Sequence, residues 1–271
     1  MTAQEKLNQK IHNNFHVCVG LDTVFNKIPE YLRNSKNPVV EFNKIVIENT
    51  YESAAAFKIN FAFYEKDGLL GIENLLATIE LIPKDILIIG DAKRGDIGNT
   101  SQMYAESIFN YFKCDAVTLH PYMGFDSLEP FLQFKDKLNF ILALTSNKGA
   151  EDFEKLKLND DKFVFQRIIE KVKEWNQNKN CGIVFGATNS KELEDNINLF
   201  GDLPVLLPGV GAQGGSLEDV VKIFDTANNQ NYLINISRSL IYCDNSSSFP
   251  ETIRSEIEKM NSIIQSLKRK Q

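Results

Sequence analysis

The sequence predicts an α/β protein: a single (β/α)8 TIM barrel with parallel strands that spans residues 1–271. Eight short apolar runs alternate with longer segments of helical spacing, which is the pattern of repeated βαβ units. Eight such units close into a barrel, and 271 residues is an ordinary length for one. No low-complexity linker divides the chain, so we expect one domain.

The apolar runs are rich in aliphatic side chains, which suits strands that are buried on both faces. The predicted strands are residues 17–22, 55–60, 86–91, 116–120, 140–145, 182–187, 204–209 and 232–237. Residues 38–51, 68–82, 100–112 and 163–176 have helical spacing, and residues 250–270 have the pattern of a last amphipathic helix.

The composition excludes several classes of protein. A hydrophobic content of 43% with 24% charged residues is typical of a globular chain. A net charge of −6 argues against nucleic acid or an anionic membrane as the main partner. No apolar stretch is long enough to span a bilayer, and residues 1–10 lack the apolar segment of a signal peptide. We therefore expect a cytoplasmic protein.

The cysteines and histidines argue against a metal centre. The four cysteines lie far apart and form no CxxC pair, so reduced, mostly buried thiols are expected rather than disulfides or a zinc site. With three histidines, a His-rich metal site is improbable.

The segment 86–100, ILIIGDAKRGDIGNT, organises the rest of the chain. A buried strand ends here, and Asp91, Lys93 and Asp96 follow within six residues. On an extended backbone residues i and i+2 share a face, so Asp91 and Lys93 should project together. Charged pairs at the carboxyl end of a buried strand are where α/β enzymes keep their chemistry.

Polar side chains also end most of the other predicted strands: Asp22, Lys58, Asn60, His120, Thr145, Ser146 and Arg238. In a barrel these positions form one rim, where active sites lie. Lys58 interrupts an otherwise apolar passage, so its ammonium either extends to the rim or is held by carboxylates. A neighbouring Asp91 favours the second arrangement.

The loops after strands seven and eight predict a phosphate site. Residues 208–215, PGVGAQGG, contain four glycines, so the backbone N–H groups can approach a ligand closely. A glycine-rich loop alone is more often a plain tight turn, but Arg238 follows the next strand and offers forked donors for phosphate oxygens. Barrel enzymes commonly bind phosphate in these two loops. Gln213 is a further donor in the first of them.

Taken together, several of these segments resemble the orotidine 5′-phosphate decarboxylase family, in the subgroup with the motif DAKRGDI. They are GLD at 20–22, FKIN at 57–60, DAKRGDIGNT at 91–100, LTSNKGA at 144–150, PGVGAQGG at 208–215 and ISRS at 236–239. The likeness runs from about residue 17 to residue 242. It implies decarboxylation of orotidine 5′-monophosphate to uridine 5′-monophosphate, the last step of de novo pyrimidine synthesis. It also implies a small-molecule nucleotide substrate, no metal or organic cofactor, and a homodimer.

The resemblance also implies roles for individual residues. Catalysis would fall to an alternating charged set, Lys58, Asp91, Lys93 and Asp96, with Lys93 as the proton donor to pyrimidine C6. Substrate binding would fall to Asp22 on the ribose, Ser146 on the pyrimidine, Gln213 and Arg238 on the phosphate, and Thr100. A one-residue shift of the alignment would move the pyrimidine contact to Asn147. Asp96 and Thr100 would reach the neighbouring subunit's site.

The reaction needs residues of these types. Loss of CO2 from C6 leaves a carbanion in the ring plane, with no adjacent π system to delocalise it. The site must therefore supply a fixed cation near C6 and then a proton, and Lys93 can do both. Flanking carboxylates favour the charged ammonium. Asp91 near the substrate carboxylate would disfavour the ground state.

Three alternatives stay open at the level of the sequence. A magnesium-dependent sugar-phosphate lyase or synthase can share the D-x-K-x-x-D pattern, and a chelator would inactivate it. A Schiff-base aldolase using Lys58 would be trapped by borohydride. A catalytically silent barrel would only bind a nucleotide, although the intact charged set argues against it.

Overall fold

The computed structural model describes residues 1–211 and 214–268, and within them eight parallel strands close into a barrel in chain order. Each strand overlaps one of the eight predicted runs, so the predicted fold class is confirmed. The strands are β1 Val17–Gly20, β2 Ala56–Asn60, β3 Leu87–Arg94, β4 Ala116–Leu119, β5 Leu138–Leu144, β6 Cys181–Phe185, β7 Val205–Pro208 and β8 Tyr232–Ile236.

Helices follow the strands and form the outer layer. The α-helices are α1 Ala3–His12, α2 Pro38–Thr50, α3 Ala62–Glu65, α4 Gly68–Leu81, α5 Gly98–Glu106, α6 Phe125–Leu132, α7 Val164–Trp175, α8 Ser190–Phe200, α9 Leu217–Thr226, α10 Arg238–Ile241 and α11 Phe249–Leu267. A π-helical turn, Ser107–Tyr111, continues α5. The last helix ends three residues before its predicted end, and residues 269–271 lie outside the described residues.

Two apolar layers stabilise the barrel. Side chains on the outer face of the strands pack beneath the helices, while the inner face fills the lower part of the barrel itself. The inner set consists mainly of Cys18, Ala56, Leu87, Ile89, Ala116, Leu138, Phe140, Val184, Leu206 and Leu233. The interior is therefore a packed core rather than a pore.

Helix α1, which the sequence analysis did not predict, closes the amino-terminal end of the barrel. Its apolar side chains Ala3 and Leu7 pack against the inner core. The buried ammonium of Lys6 lies 2.8 Å from Oδ2 of Asp115, which also accepts a hydrogen bond from the Ile88 N–H. Among the described residues, this end of the barrel interior is thus filled by packed side chains.

The structure also shows the state of the cysteines and the character of the helices. Cys18, Cys114 and Cys181 are buried free thiols, and Cys243 is half-buried. Within residues 1–211 and 214–268, no helix combines the length and the apolar character needed to cross a bilayer.

The buried His16 should make the fold sensitive to acid. Its Nδ1 contacts the Tyr232 carbonyl at 2.9 Å and its Nε2 lies 2.8 Å from Lys268 Nζ. Burial, assisted by the charge of Lys268, lowers the His16 pKa to about 3. In the unfolded chain the imidazole titrates near 6.5, so between pH 6.5 and 3 the unfolded state binds the extra proton. The neutral, buried His16 therefore makes its full contribution to the free energy of unfolding above pH 6.5. This contribution is lost as the pH falls from 6.5 toward 3.

We expect His16 to account for a loss of about 2 kcal/mol in the free energy of unfolding between pH 7.5 and pH 5. Denaturant titrations of wild type and His16→Asn at several pH values measure this. The variant should be less stable at pH 7.5 but lose less stability on acidification. The exposed His12 provides the control, because His12→Asn should keep the wild-type slope. Parallel curves for wild type and His16→Asn would contradict the assignment.

Candidate active site

A cavity of about 250 Å³ opens at the carboxyl ends of the strands. It brings together five of the predicted site residues, Asp22, Lys58, Asp91, Lys93 and Ser146. The remaining lining residues are Asn60, Thr118, Leu142, Thr145, Asn147, Val184, Leu206, Pro208 and Asn235. All eight strands, or the residues shortly after them, therefore contribute to one concave site.

Four charges of alternating sign lie along one side of this cavity. The Lys58 ammonium on β2 lies 2.9 Å from Oδ2 of Asp91 and 3.5 Å from Oδ1 of Asp22. The other oxygen of Asp91 lies 2.6 Å from Lys93 Nζ. Lys58 and Asp91 are buried, whereas the Lys93 side chain is 49% exposed. Lys93 is thus the more accessible of the two ammonium groups.

Mutual attraction keeps the two buried groups charged. Burial would lower the pKa of Lys58, but the carboxylates of Asp91 and Asp22 outweigh it and raise this pKa above its ordinary value. Burial would likewise raise the pKa of Asp91, but the ammonium groups of Lys58 and Lys93 outweigh it and lower this pKa below its ordinary value. At neutral pH Lys58 is therefore a cation, and Asp91 is an anion with no proton to give.

A β-bulge aims Lys93. The pairing of β3 with β4 shifts register between Gly90 and Arg94, so that three residues of β3 lie opposite the single Thr118. Within the bulge Lys93 has a φ of +47°, a left-handed conformation that costs a side-chain-bearing residue energy. Asp91 and Lys93 were predicted to meet by i, i+2 alternation. They do meet, but through a turned backbone rather than a regular strand.

Thr118 is a site residue that the sequence analysis missed. Its hydroxyl donates to Oδ1 of Asp91 at 2.8 Å and accepts the N–H of Lys93 at 3.1 Å. It therefore holds both ends of the bulge in place. The segment AVTLH looks like an ordinary buried strand, so only the register of β3 against β4 reveals this role.

The opposite wall of the cavity is apolar, with Leu142, Val184, Leu206 and Pro208 from β5, β6 and β7. Asn235 of β8 completes the lining, and its buried Oδ1 has no hydrogen-bond partner among the described residues. A ligand with one flat apolar face and one charged or polar edge fits a cavity divided in this way.

The predicted phosphate loop lies beside β7 and α10. Glycines 209, 211 and 214 all have positive φ, and a Cβ at Gly211 would lie 2.9 Å from Oγ of Ser239. The loop therefore needs glycine both for its conformation and for its close approach to α10. Arg238, the first residue of α10, is exposed on this rim. Gln213 lies outside the described residues.

Ser146 lies at the end of β5, where the backbones of β5 and β6 approach closely. A Cβ at Gly186 would come within 2.7 Å of the Ser146 backbone nitrogen, so this approach requires glycine. Ser146 and Asn147 both line the cavity, and Ser146 is the less exposed of the two.

Asp96 and Thr100 do not line this cavity. Oδ1 of Asp96 accepts the N–H of Ile97 at 2.8 Å, and Thr100 is exposed on α5. Of the predicted catalytic set, the cavity therefore gathers Lys58, Asp91 and Lys93, and Asp96 is not part of its lining.

The structure offers little support for a second ligand site or for a metal site. A larger cavity of about 820 Å³ lies at the amino-terminal end of the barrel, beside α1 and α11, but its lining is mainly amide side chains and includes none of the predicted site residues. Among residues 1–211 and 214–268, no three His, Cys, Asp or Glu side chains are grouped so that they could hold a metal ion.

Comparisons with known proteins agree with this geometry. Residues 16–248 match the model of the orotidine 5′-phosphate decarboxylase / HUMPS family. The chain is 46% identical over 263 residues to an orotidine 5′-phosphate decarboxylase of Christiangramia forsetii, with 96% of both chains covered. It is 44% identical over 263 residues to the enzyme of that name from Porphyromonas gingivalis, covering 96% of this chain and 95% of the relative.

Solved structures show the same architecture. The OMP decarboxylase of Leishmania donovani superposes with a TM-score of 0.82 at 34% identity, over 98% of this chain and all of the other. The UMP synthase of the same organism gives a TM-score of 0.83 at 36% identity, and there the match covers 97% of this chain and 57% of the longer protein. On the family match and these identities, the chain belongs to the orotidine 5′-phosphate decarboxylase / HUMPS family.

Proposed function

We propose that this protein decarboxylates orotidine 5′-monophosphate to uridine 5′-monophosphate, without a metal or an organic cofactor. The observation that carries the proposal is the array Asp22–Lys58–Asp91–Lys93 along one side of a single cavity. Relatives covering nearly the whole chain at 41–46% identity bear the name of this decarboxylase. The array supplies a fixed cation and a proton next to an anion, which is what a carbanion reaction without an electron sink requires.

The substrate would lie across the divided cavity. Its phosphate would reach the glycine-rich loop, Gln213 and Arg238, while its ribose lies near Asp22. The pyrimidine would lie against the apolar wall, with its polar edge at Ser146. This pose directs C6 and its carboxylate toward Lys93 and Asp91, and the remote phosphate contacts contribute binding energy that orients the ring.

In the chemical step the C6–carboxylate bond breaks heterolytically, so that CO2 leaves and the electron pair of the bond stays on C6. The Lys93 ammonium lies close to the developing negative charge and then transfers a proton to C6, leaving a neutral amine that regains its proton from water. Asp91 holds this ammonium in position at 2.6 Å. As an anion facing the substrate carboxylate, it also disfavours the bound ground state.

Lys58 has a different part. Its ammonium is buried between Asp91 and Asp22, so it balances their charges and keeps Asp91 anionic. Removing it would leave carboxylates in a buried site without a counter-charge, which is costly. We therefore regard Lys58 as the residue that maintains the charge order of the site, and Lys93 as the proton donor.

The direct test follows the loss of orotate absorbance with purified protein, orotidine 5′-monophosphate and excess EDTA. Turnover that is unaffected by EDTA is expected. Turnover of a sugar phosphate that EDTA abolishes would favour the magnesium-dependent alternative. Tight binding of uridine 5′-monophosphate without any turnover would identify a non-catalytic nucleotide-binding barrel.

We also propose that the protein works as a homodimer in which Asp96 and Thr100 complete the partner's site. Both lie outside their own cavity lining, near the turn that carries Lys93. Helices α5 and α6 pack together, and exposed apolar side chains lie on α5 and just before each of these helices: Ile97, Met103, Tyr104, Tyr122 and Met123. An apolar surface of this kind beside a site is typical of a subunit interface.

A cytoplasmic location is proposed as well, since free buried thiols suit a reducing compartment.

If Arg238 binds the substrate phosphate, Arg238→Ala should reduce kcat/KM for orotidine 5′-monophosphate by a factor that corresponds to about 1.5–3 kcal/mol. The bare nucleoside orotidine, which lacks the phosphate, should be affected less than about twofold. Steady-state kinetics with both substrates measure the difference. Arg254→Ala removes an exposed arginine from α11 and is the control. Equal losses with both substrates would assign Arg238 to the fold instead.

A further inference from the structure

The carboxylate of Glu154 binds the residue directly before Ser146, the proposed contact to the pyrimidine. One of its carboxylate oxygens, Oε2, accepts the backbone N–H of Thr145 at 2.6 Å. The Thr145 hydroxyl lies 2.9 Å and 3.0 Å from the two oxygens of the same carboxylate. The contact joins residues nine positions apart, and it immobilises the backbone directly before Ser146.

Asn189, which precedes α8, binds the same residue through its carbonyl. Its Nδ2 donates to the Thr145 carbonyl at 3.0 Å and lies 3.4 Å from the Gly186 carbonyl. The N–H and the carbonyl of Thr145 are thus both engaged by side chains. Gly186 lies close to the Ser146 backbone nitrogen, so the backbone at Ser146 has little room to move toward β6.

Glu154 itself is not part of the cavity lining, so it cannot act by touching the ligand. It is half-buried, and its main-chain carbonyl accepts the N–H of Phe165 on α7. Its carboxylate is therefore anchored to the helical layer, while its oxygens reach the rim. This arrangement transmits the position of α7 to the end of β5.

We propose that Glu154 is a positioning residue that, together with Asn189, sets the location of Ser146 and so determines how well the site binds the pyrimidine base. The inference rests on the proposed function, because it takes Ser146 as the residue that contacts the base. An acceptor at position 154 is required, since without one the Thr145 N–H loses its partner and the loop can relax. The ribose and the phosphate bind elsewhere on the rim and do not depend on this clamp.

The test compares two ligands that differ in the base. Uridine 5′-monophosphate carries ribose, phosphate and pyrimidine, whereas ribose 5-phosphate lacks the pyrimidine. Calorimetry should show that Glu154→Ala weakens uridine 5′-monophosphate by about tenfold or more, while ribose 5-phosphate changes by less than about twofold. Glu154→Gln keeps an acceptor oxygen and should restore the nucleotide affinity to within about threefold.

Glu151→Ala is the matched control, because Glu151 lies on the same loop and pairs with Lys155 instead of Thr145. It should leave both affinities unchanged. Asn189→Ala tests the other side of the clamp and should show the same selective loss, which also carries the test if Glu154→Ala does not fold. Equal weakening of both ligands, no weakening, or a Glu154→Gln protein as impaired as Glu154→Ala would each overturn the inference.

The result is separable from the proposed function. A wild-type protein that neither binds uridine 5′-monophosphate nor converts orotidine 5′-monophosphate would contradict the proposed function itself. A wild-type protein that does both, with nucleotide affinity unchanged in Glu154→Ala, would overturn only the positioning role.

Discussion

Lys93→Ala is expected to lower kcat for orotidine 5′-monophosphate by at least about 10³-fold while nucleotide binding stays measurable. The reason lies in the protonation states of the array. Asp91 has a lowered pKa and is anionic, and Lys58 is buried between two carboxylates. Lys93 is thus the exposed acid in the array, and no neighbour in it can replace its proton.

Single-turnover and steady-state measurements of the variant, together with its affinity for uridine 5′-monophosphate, check this result. Lys66→Ala is the matched control, because Lys66 pairs with Asp67 at 2.7 Å on the exposed surface, outside the cavity. It should keep wild-type turnover. A Lys93→Ala protein that retains more than about one-tenth of kcat, a barrier change under roughly 1.4 kcal/mol, would rule out Lys93 as the proton donor.

Mixing two inactive variants should restore activity if Asp96 completes the partner's site. In a heterodimer of Lys93→Ala and Asp96→Ala chains, both defects fall in one site and the other site is wild type. Each heterodimer should then have about half the activity of a wild-type dimer. Since half of the dimers in an equal, fully exchanged mixture are heterodimers, the mixture should recover about one-quarter.

The array itself provides the control for this experiment. Lys58 and Lys93 lie in the same chain's cavity, so a mixture of Lys58→Ala and Lys93→Ala leaves every heterodimer site with one defect. That mixture should stay inactive. If subunit exchange is verified by mass and the Lys93→Ala and Asp96→Ala mixture also stays inactive, Asp96 acts within its own chain or not at all.

Several parts of the fold could be predicted because they depend on local patterns. Eight apolar runs and the helical segments between them define the barrel, and all eight strands form where they were expected. Helix α1 escaped prediction although a signal was present: Thr2 and Glu5 form a capping box at its start. A search for S/T-x-x-E followed by apolar residues at helical spacing would have found it.

The site was predictable to the extent that chemistry-bearing residues end strands. Asp22, Lys58, Asp91, Lys93 and Ser146 all line one cavity, because parallel strands of a barrel present their carboxyl ends at the same rim. Thr118, Asn235 and Glu154 could not be recognised in this way. A threonine within an apolar strand or a glutamate in a charged loop has no distinctive sequence pattern. The role of each depends on a hydrogen-bond partner that only the folded structure brings next to it.

The sequence by itself therefore determined the barrel and the order of the charged residues along it, since periodicity and strand-end position are properties of the chain read locally. Only the tertiary structure decided which of these charges meet. At the register shift between β3 and β4, the Lys93 ammonium contacts Asp91. The Thr118 hydroxyl is hydrogen-bonded to both residues there. Asp96, two residues beyond β3, does not line the cavity. Register depends on pairing between strands, and no single segment of sequence encodes that pairing.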